Sequence, residues 1–211
     1  MPCDQHGEGV SQSFPSCDNV RPVNVREWML ADHADVRERF ERGVAARVPV
    51  ERWGEHADGG GSSIAWLVLH HSYHQDLAVN TVVRNHAPLL THWRARLGLG
   101  AFSAATGLPE AEDPDVVDAL DFEVLAEYAA AVHEATQQWM HDVAPSALDT
   151  YTDAPDRILR VGVSDAEVGW LHAMWEGKPV SWFARWEAIG HGHTHVGEMV
   201  SVRNRLGLSP H

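Results

Sequence analysis

The chain has 211 residues, enough for one domain with a sizeable apolar core. Its 30 acidic and 16 basic side chains give a formal net charge of −14. That charge argues against nucleic acid and membrane surfaces as partners, since either would require a basic patch. The only cysteines, Cys3 and Cys17, do not make a disulfide framework or a cysteine-type zinc site.

Residues 1–22 are interpreted as a polar N-terminal tail, and residues 23–211 are expected to form a single domain. The tail lacks the basic start and the apolar centre of a signal peptide. No window of the chain is apolar over the length that a bilayer span requires. We therefore expect a cytoplasmic protein.

Helical periodicity begins close to residue 24. Apolar side chains recur at the spacing of one helix face from Met29 to Val44, and His33 on that stripe is interpreted as a packed core histidine. The glycine-rich turn at 58–63 then offers a serine N-cap to a second helix over 64–85.

Two further long helices are predicted in the second half of the chain. One covers 122–143 with Asp121 as its N-cap, and the other covers 180–206 and ends at Gly207. Four long amphipathic segments predict an all-α fold, an up-and-down four-helix bundle. Between them we expect an irregular loop at 100–120, a short extended piece at "RILRVGV" and a brief helix at 164–175.

The last predicted helix contains "GHGHTHVGEM", residues 190–199. His191 and His195 lie one turn apart on a stripe that continues through apolar residues, so the pair faces the bundle interior. Two neutral imidazoles in that arrangement can share one divalent metal, and the alternative is a pair of hydrogen-bonded core histidines. His193 points to the opposite side.

The second helix offers candidates for a third ligand within "SSIAWLVLHHSYHQDLAVN", residues 62–80. His70 and His74 share one face of this helix, and His71 is rotated by about 100° from His70. The periodicity alone does not choose among the three.

Two stretches resemble a known family. "SSIAWLVLHH" resembles the opening of helix two in actinobacterial DinB-like proteins, and "HGHTHVGEMVSVRNRLGLSP" is similar to the helix-four signature of that superfamily. The resemblance implies a four-helix bundle whose divalent metal is held by one residue of helix two and two of helix four. Those positions are His70, His191 and His195 in this sequence.

The resemblance also implies a chemistry. Relatives with assigned functions look like mycothiol-dependent maleylpyruvate isomerase and thiol S-transferases, in which a metal-bound thiolate attacks an electrophile. The cofactor is then a divalent metal, zinc first and nickel, iron or manganese as alternatives, with mycothiol as co-substrate. The expected partners are a small electrophile and a small thiol, and a homodimer is compatible with the fold.

Supporting roles follow from position. Glu198, one turn beyond His195, is expected to accept an imidazole N–H or to steer a metal-bound water, and His74 is the second catalytic candidate. Arg84 and Trp66 are assigned to cofactor or substrate binding. Glu187, one turn before His191, is open to a role like that of Glu198, to replacing a ligand, or to being a solvated side chain.

The sequence leaves two other functions open. One is a thiol-independent metal-dependent hydrolase or lyase, and the other is a non-catalytic metal-binding bundle of the stress-response type. The sequence lacks the phosphate-binding, dinucleotide-binding, serine-hydrolase and zincin motifs, which leaves those enzyme classes without support.

Overall fold

The computed structural model describes residues 24–209, so the predicted tail and both cysteines lie outside the described part. The described chain contains helices and no strand. The prediction of an all-α four-helix bundle is confirmed. The helices are α1 Val25–Phe40, α2 Ile64–Asp76, α3 Leu90–Trp93, α4 Pro114–Ala119, α5 Phe122–Asp142, α6 Ala154–Arg160, α7 Asp165–Trp175, α8 Val180–Phe183 and α9 His191–Arg205.

Three π-helical segments lengthen the bundle helices. Glu41–Ala45 continues α1, Leu77–Val83 continues α2, and Ala184–Gly190 joins α8 to α9 without a break. Such wide turns are rare in proteins and are frequent at functional sites. The third segment leads directly into the histidine-rich helix.

Helix starts follow the capping residues that the sequence suggests. The Ser63 hydroxyl accepts a hydrogen bond of 3.1 Å from the Trp66 amide at the start of α2. The Asp121 carboxylate accepts a bond of 3.1 Å from the Val124 amide at the start of α5. Each cap satisfies one backbone donor that has no partner within its own helix.

The helices pack with α1 and α2 on opposite corners, each in contact with both α5 and α9. One end of the bundle gathers Met29, Val79, Met140 and Ala188 in one apolar cluster. The starts of α1 and α9 and the ends of α2 and α5 therefore lie together. The chain direction is up, down, down, up, which departs from the alternating up-and-down order expected from the sequence, because the long connection 84–121 returns the chain so that α5 runs parallel to α2.

Asp76, at the end of α2, fixes the beginning of that connection. Its fully buried carboxylate accepts bonds of 2.9 Å from the amides of Leu89 and Leu90, 2.9 Å from the Tyr128 hydroxyl and 2.8 Å from Asn80. The carboxylate thus ties α3 and α5 to α2.

Two expectations for the connecting segments are corrected. Most of "RILRVGV" is the end of helix α6, which begins at an N-cap on Asp153. The stretch 100–120 contains helix α4. Local alternation in the first segment resembled a strand, but an Asp cap followed by Pro155 starts a helix.

Among the described residues, no helix is both long and apolar enough to cross a bilayer.

Candidate metal centre

The three histidines predicted as ligands meet between the antiparallel helices α2 and α9. The ring centroid of His70 lies 5.1 Å from that of His191 and 4.8 Å from that of His195. The Nε2 atoms of His191 and His195 are 2.8 Å apart. All three side chains are buried. One ligand atom from each, together with a carboxylate oxygen of Glu110, lies within 4.8 Å of all the others.

Oxygen atoms on the outer side fix the orientation of two of these rings. Nδ1 of His70 donates to the Gly107 carbonyl at 3.0 Å, and Nδ1 of His195 donates to the Glu198 carboxylate at 2.7 Å. Carbonyl and carboxylate oxygens only accept, so each ring carries its proton on Nδ1 and turns an Nε2 lone pair inward. Metal-binding histidines are usually oriented by outer hydrogen-bond partners of this kind.

Of the inward-facing nitrogens, Nε2 of His191 and Nε2 of His195 lie within hydrogen-bond distance of each other only. Nε2 of His70 is buried without a hydrogen-bond partner. Burial, with help from neighbouring histidines, lowers the pKa of His70 to about 2 and also lowers the pKa of His191. Neutral imidazoles whose Nε2 atoms converge on one point are suited to a divalent cation such as zinc. The residues present therefore fit a metal.

Gly107 supports the centre through its backbone. Its φ of +93° is a backbone conformation that residues other than glycine rarely adopt, and an added Cβ would lie 3.0 Å from Cγ of Leu69. This close approach brings its carbonyl to His70.

Glu110 is a member of the cluster that the sequence did not indicate. Its Oε1 atom lies 3.8 Å from Nε2 of His70, and the side chain is 75% exposed. It comes from the connection between α3 and α4, far from either motif, and no local pattern marks it. Its position allows a carboxylate to reach the cluster from solvent.

Glu198 and His74 occupy different sides of the centre. Glu198 lies on the outer surface and bonds His195, as its position one turn away suggested. His74 is buried behind the triad, where Nε2 bonds the Leu108 carbonyl at 3.0 Å and Nδ1 lies 3.3 Å from Glu187. Both His74 nitrogens face protein atoms, so its position does not support the catalytic role expected for it.

Within the described residues, neither of the two residues assigned to cofactor binding shows a hydrogen bond or ring contact with the three histidines. Arg84 is 14 positions after His70, roughly 20 Å along the helix axis, and it bonds Asn80. Its position gives no support to a binding role. Trp66 is a buried core residue whose edge, with Gly107 and Val168, lines a separate surface cavity. His193 faces Asp35 of α1, on the other side of α9.

A cleft of about 340 Å³ opens beside the candidate metal ligands. Its polar lining comes from Glu110 and Glu198, which both contact ligand histidines, and from two serines and an arginine. The cleft therefore adjoins the histidine cluster through these two carboxylates. Its lining residues are Gly61, Ser62, Leu67, Glu110, Glu198, Ser201, Val202 and Arg205.

Comparisons with known proteins agree with this architecture. The family model of the DinB superfamily matches residues 33–199. A crystal structure described as the conserved protein of a locus from Enterococcus faecalis superposes with a TM-score of 0.64. It covers 88% of this chain and 99% of its own chain at 18% identity, a similarity that shows the fold alone. No curated protein sequence matches the chain significantly.

Proposed function

The chain belongs to the DinB superfamily, a metal-binding group, and from this premise we propose that it is a divalent-metal-dependent thiol S-transferase or isomerase. Its co-substrate in this proposal is a small thiol of the mycothiol type, and its second substrate is a small electrophile. His70, His191 and His195 hold the metal.

The observation that carries the proposal is the convergence of three buried imidazoles beside an open cleft. Three protein ligands leave coordination positions for a substrate, which is the arrangement of catalytic rather than structural zinc sites. When bound, the metal supplies a Lewis acid that favours the deprotonated form of a thiol or a water. In this proposal the Glu198 carboxylate orients the His195 ring, and Glu110, 3.8 Å from Nε2 of His70, accepts a proton at the solvent side.

The cleft supports a polyhydroxylated thiol such as mycothiol. Ser62 and Ser201 both donate and accept hydrogen bonds, and the carboxylates of Glu110 and Glu198 accept bonds from hydroxyl groups. Leu67 and Val202 add an apolar floor. Residues 24–209 contain no cysteine, so the described part of the chain supplies no thiol to this centre, in keeping with a small-molecule thiol as co-substrate.

The proposal is tested by loading purified protein with zinc and measuring the loss of free mycothiol in the presence of a model electrophile. We expect turnover that chelation abolishes and zinc restores. His70→Ala and His195→Ala should lose turnover, whereas His172→Ala, at a buried histidine outside the centre, should retain it.

Other outcomes separate the competing functions. Zinc-dependent turnover of an ester or amide without any thiol would replace the proposal with a metal-dependent hydrolase. Zinc binding without detectable mycothiol binding by calorimetry would contradict thiol chemistry. If the triad variants changed only thermal stability, the protein would be a non-catalytic metal-binding bundle.

A further inference from the structure

A second group of ligand-type side chains lies behind His191, away from the cleft. It consists of His74, Glu187 and His191, whose ligand atoms all lie within 4.8 Å of one another. Oε2 of Glu187 is 3.3 Å from Nδ1 of His74 and 3.7 Å from Nδ1 of His191. All three side chains are buried, so the group is inside the protein rather than on its surface.

The donors and acceptors of these three side chains do not satisfy one another. The Leu108 carbonyl accepts from Nε2 of His74, so a neutral His74 ring has a lone pair on Nδ1 that faces the Glu187 carboxylate. Two acceptors therefore face each other. Nδ1 of His191 is buried with no hydrogen-bond partner and lies near the same carboxylate oxygen.

The charge of Glu187 also lacks a permanent partner. Within residues 24–209 no lysine or arginine forms an ion pair with it, and its other contact is a bond of 2.7 Å from Nε1 of Trp175. Buried carboxylates are normally paired with a cation or bound to a metal. A cation between the carboxylate and the two Nδ1 atoms would satisfy both the charge and the facing lone pairs.

We propose that His74, Glu187 and His191 form a second divalent-cation site. Two imidazole nitrogens and one carboxylate oxygen are a ligand set typical of zinc and neighbouring transition metals. Nδ1 of His191 belongs to this site and Nε2 of the same ring belongs to the first centre, so the fully loaded protein has two ions joined by one imidazole. Binding of the second ion releases the remaining ring proton of His191 to solvent.

Two tryptophans cover this part of the protein. Trp170 of α7 stacks on His74 with ring centroids 6.0 Å apart, and Trp186 stacks on His191 at 6.1 Å. Both indoles are partly exposed. The two indole rings therefore lie between the second site and solvent, on a different side from the cleft beside the first centre.

The second site does not depend on thiol chemistry, and its test is a metal count. Apoprotein is prepared by dialysis against a chelator, titrated with zinc in competition with a chromophoric chelator, and analysed for bound metal. Wild-type protein should bind two equivalents. Glu187→Gln keeps an acceptor for Trp175 but loses the charge, and it should bind one equivalent, as should His74→Phe.

Two further proteins complete the experiment. His70→Ala should keep the second site and bind one equivalent of zinc. The double variant His70→Ala/Glu187→Gln should lose both equivalents. His172→Phe removes a buried histidine that bonds only the Val163 carbonyl, and it should still bind two equivalents. Circular dichroism confirms that each variant is folded before its metal is counted.

A single equivalent in folded wild-type protein at saturating zinc would overturn the inference without any variant. Two equivalents that persist in folded Glu187→Gln and His74→Phe would place the second ion elsewhere and overturn it as well. Thiol turnover with one bound ion would leave the proposed function standing and remove the second site. Two bound ions without thiol turnover would support the second site and contradict the proposed function.

Discussion

At the scale of single residues, Glu198 is an outer hydrogen-bond partner of the candidate metal centre. It is half exposed and bonds Nδ1 of His195 at 2.7 Å. Removing such an outer partner typically weakens metal affinity by roughly 10- to 100-fold. We expect Glu198→Gln to weaken zinc binding within this range, because an amide is a poorer acceptor and does not fix the ring proton as strongly.

Chelator competition measures this change. Ser201→Ala is the control. Ser201 lines the same cleft one turn further along α9 and forms no hydrogen bond with the three histidines, so this variant should leave zinc affinity unchanged. Equal affinities for Glu198→Gln and wild type would show that the hydrogen bond does not contribute to metal binding.

Asp76 is a second residue whose contribution can be isolated. Burial raises the pKa of its carboxyl, while its four hydrogen bonds act in the opposite direction. The Asp76→Asn variant would present an NH₂ group to donors that now meet an oxygen, so we expect it to lower the free energy of unfolding by about 1–3 kcal/mol. Urea denaturation measures the change, with the exposed Asp118→Asn as control. A loss as small as that of the control would contradict the role of Asp76 as an anchor.

At the scale of elements, the glycines of α9 differ from one another. A Cβ on Gly192 would lie 2.7 Å from Cγ1 of Val36 and 2.9 Å from Nε2 of His71, whereas a Cβ on Gly197 meets nothing within 4 Å. Gly192 therefore permits α9 to approach α1 and α2 closely. Gly197 only weakens the helix.

These two positions make a matched pair. Gly197→Ala should stabilise the protein by up to ~1 kcal/mol through helix propensity. Gly192→Ala gains the same propensity but must displace its neighbours, and we expect a net loss of about 1–3 kcal/mol. Thermal unfolding of both variants provides the comparison. A stabilising Gly192→Ala would show that the close contact is absent.

Much of this element structure follows from local sequence. The Ser63 cap and the apolar spacing in α5 each depend on a few neighbouring residues, and the i, i+4 spacing places His191 and His195 on one face. The ring contacts of Glu110 and Glu187 depend on the long connection and on the π-helical turns before α9. Sequence periodicity does not register these features, because it assumes regular α-helices and says nothing about distant loops.

The choice of His70 shows the same division. Spacing alone left His70, His71 and His74 open, and the family resemblance selected His70. In the structure, the Gly107 carbonyl turns His70 inward, while His74 faces Glu187. Both contacts come from segments far away in the chain, so helical periodicity in α2 contained no information about them.

At the scale of the whole molecule, the buried histidines make stability depend on pH. His33 is fully buried, stacks on His133 with ring centroids 4.1 Å apart, and bonds Gln75. Burial, followed by the nearby His133, lowers the pKa of His33 to about 2, and burial lowers the pKa of His133 to about 4. The unfolded chain takes up protons near pH 6.5, but the folded protein does so only at lower pH.

The stability that these neutral rings contribute is therefore fully present above pH 6.5 and is lost as the pH falls toward the folded pKa values. Each such histidine adds a slope of about 1.4 kcal/mol per pH unit to the free energy of unfolding between its two pKa values. His33→Phe keeps a planar ring that takes no proton. Between pH 6 and pH 4 it should reduce the slope of the free energy of unfolding by the contribution of one histidine, about 1.4 kcal/mol per pH unit. The lost Gln75 bond should lower the free energy of unfolding equally at every pH.

Urea denaturation at several pH values, with chelator present throughout, measures the slope separately from any effect of bound metal. The exposed His141→Gln variant is the control and should keep the wild-type slope. If His33→Phe and wild type lost stability in parallel on acidification, His33 would take up its proton equally in both states. The acid sensitivity of the molecule would then have to come from the other buried histidines.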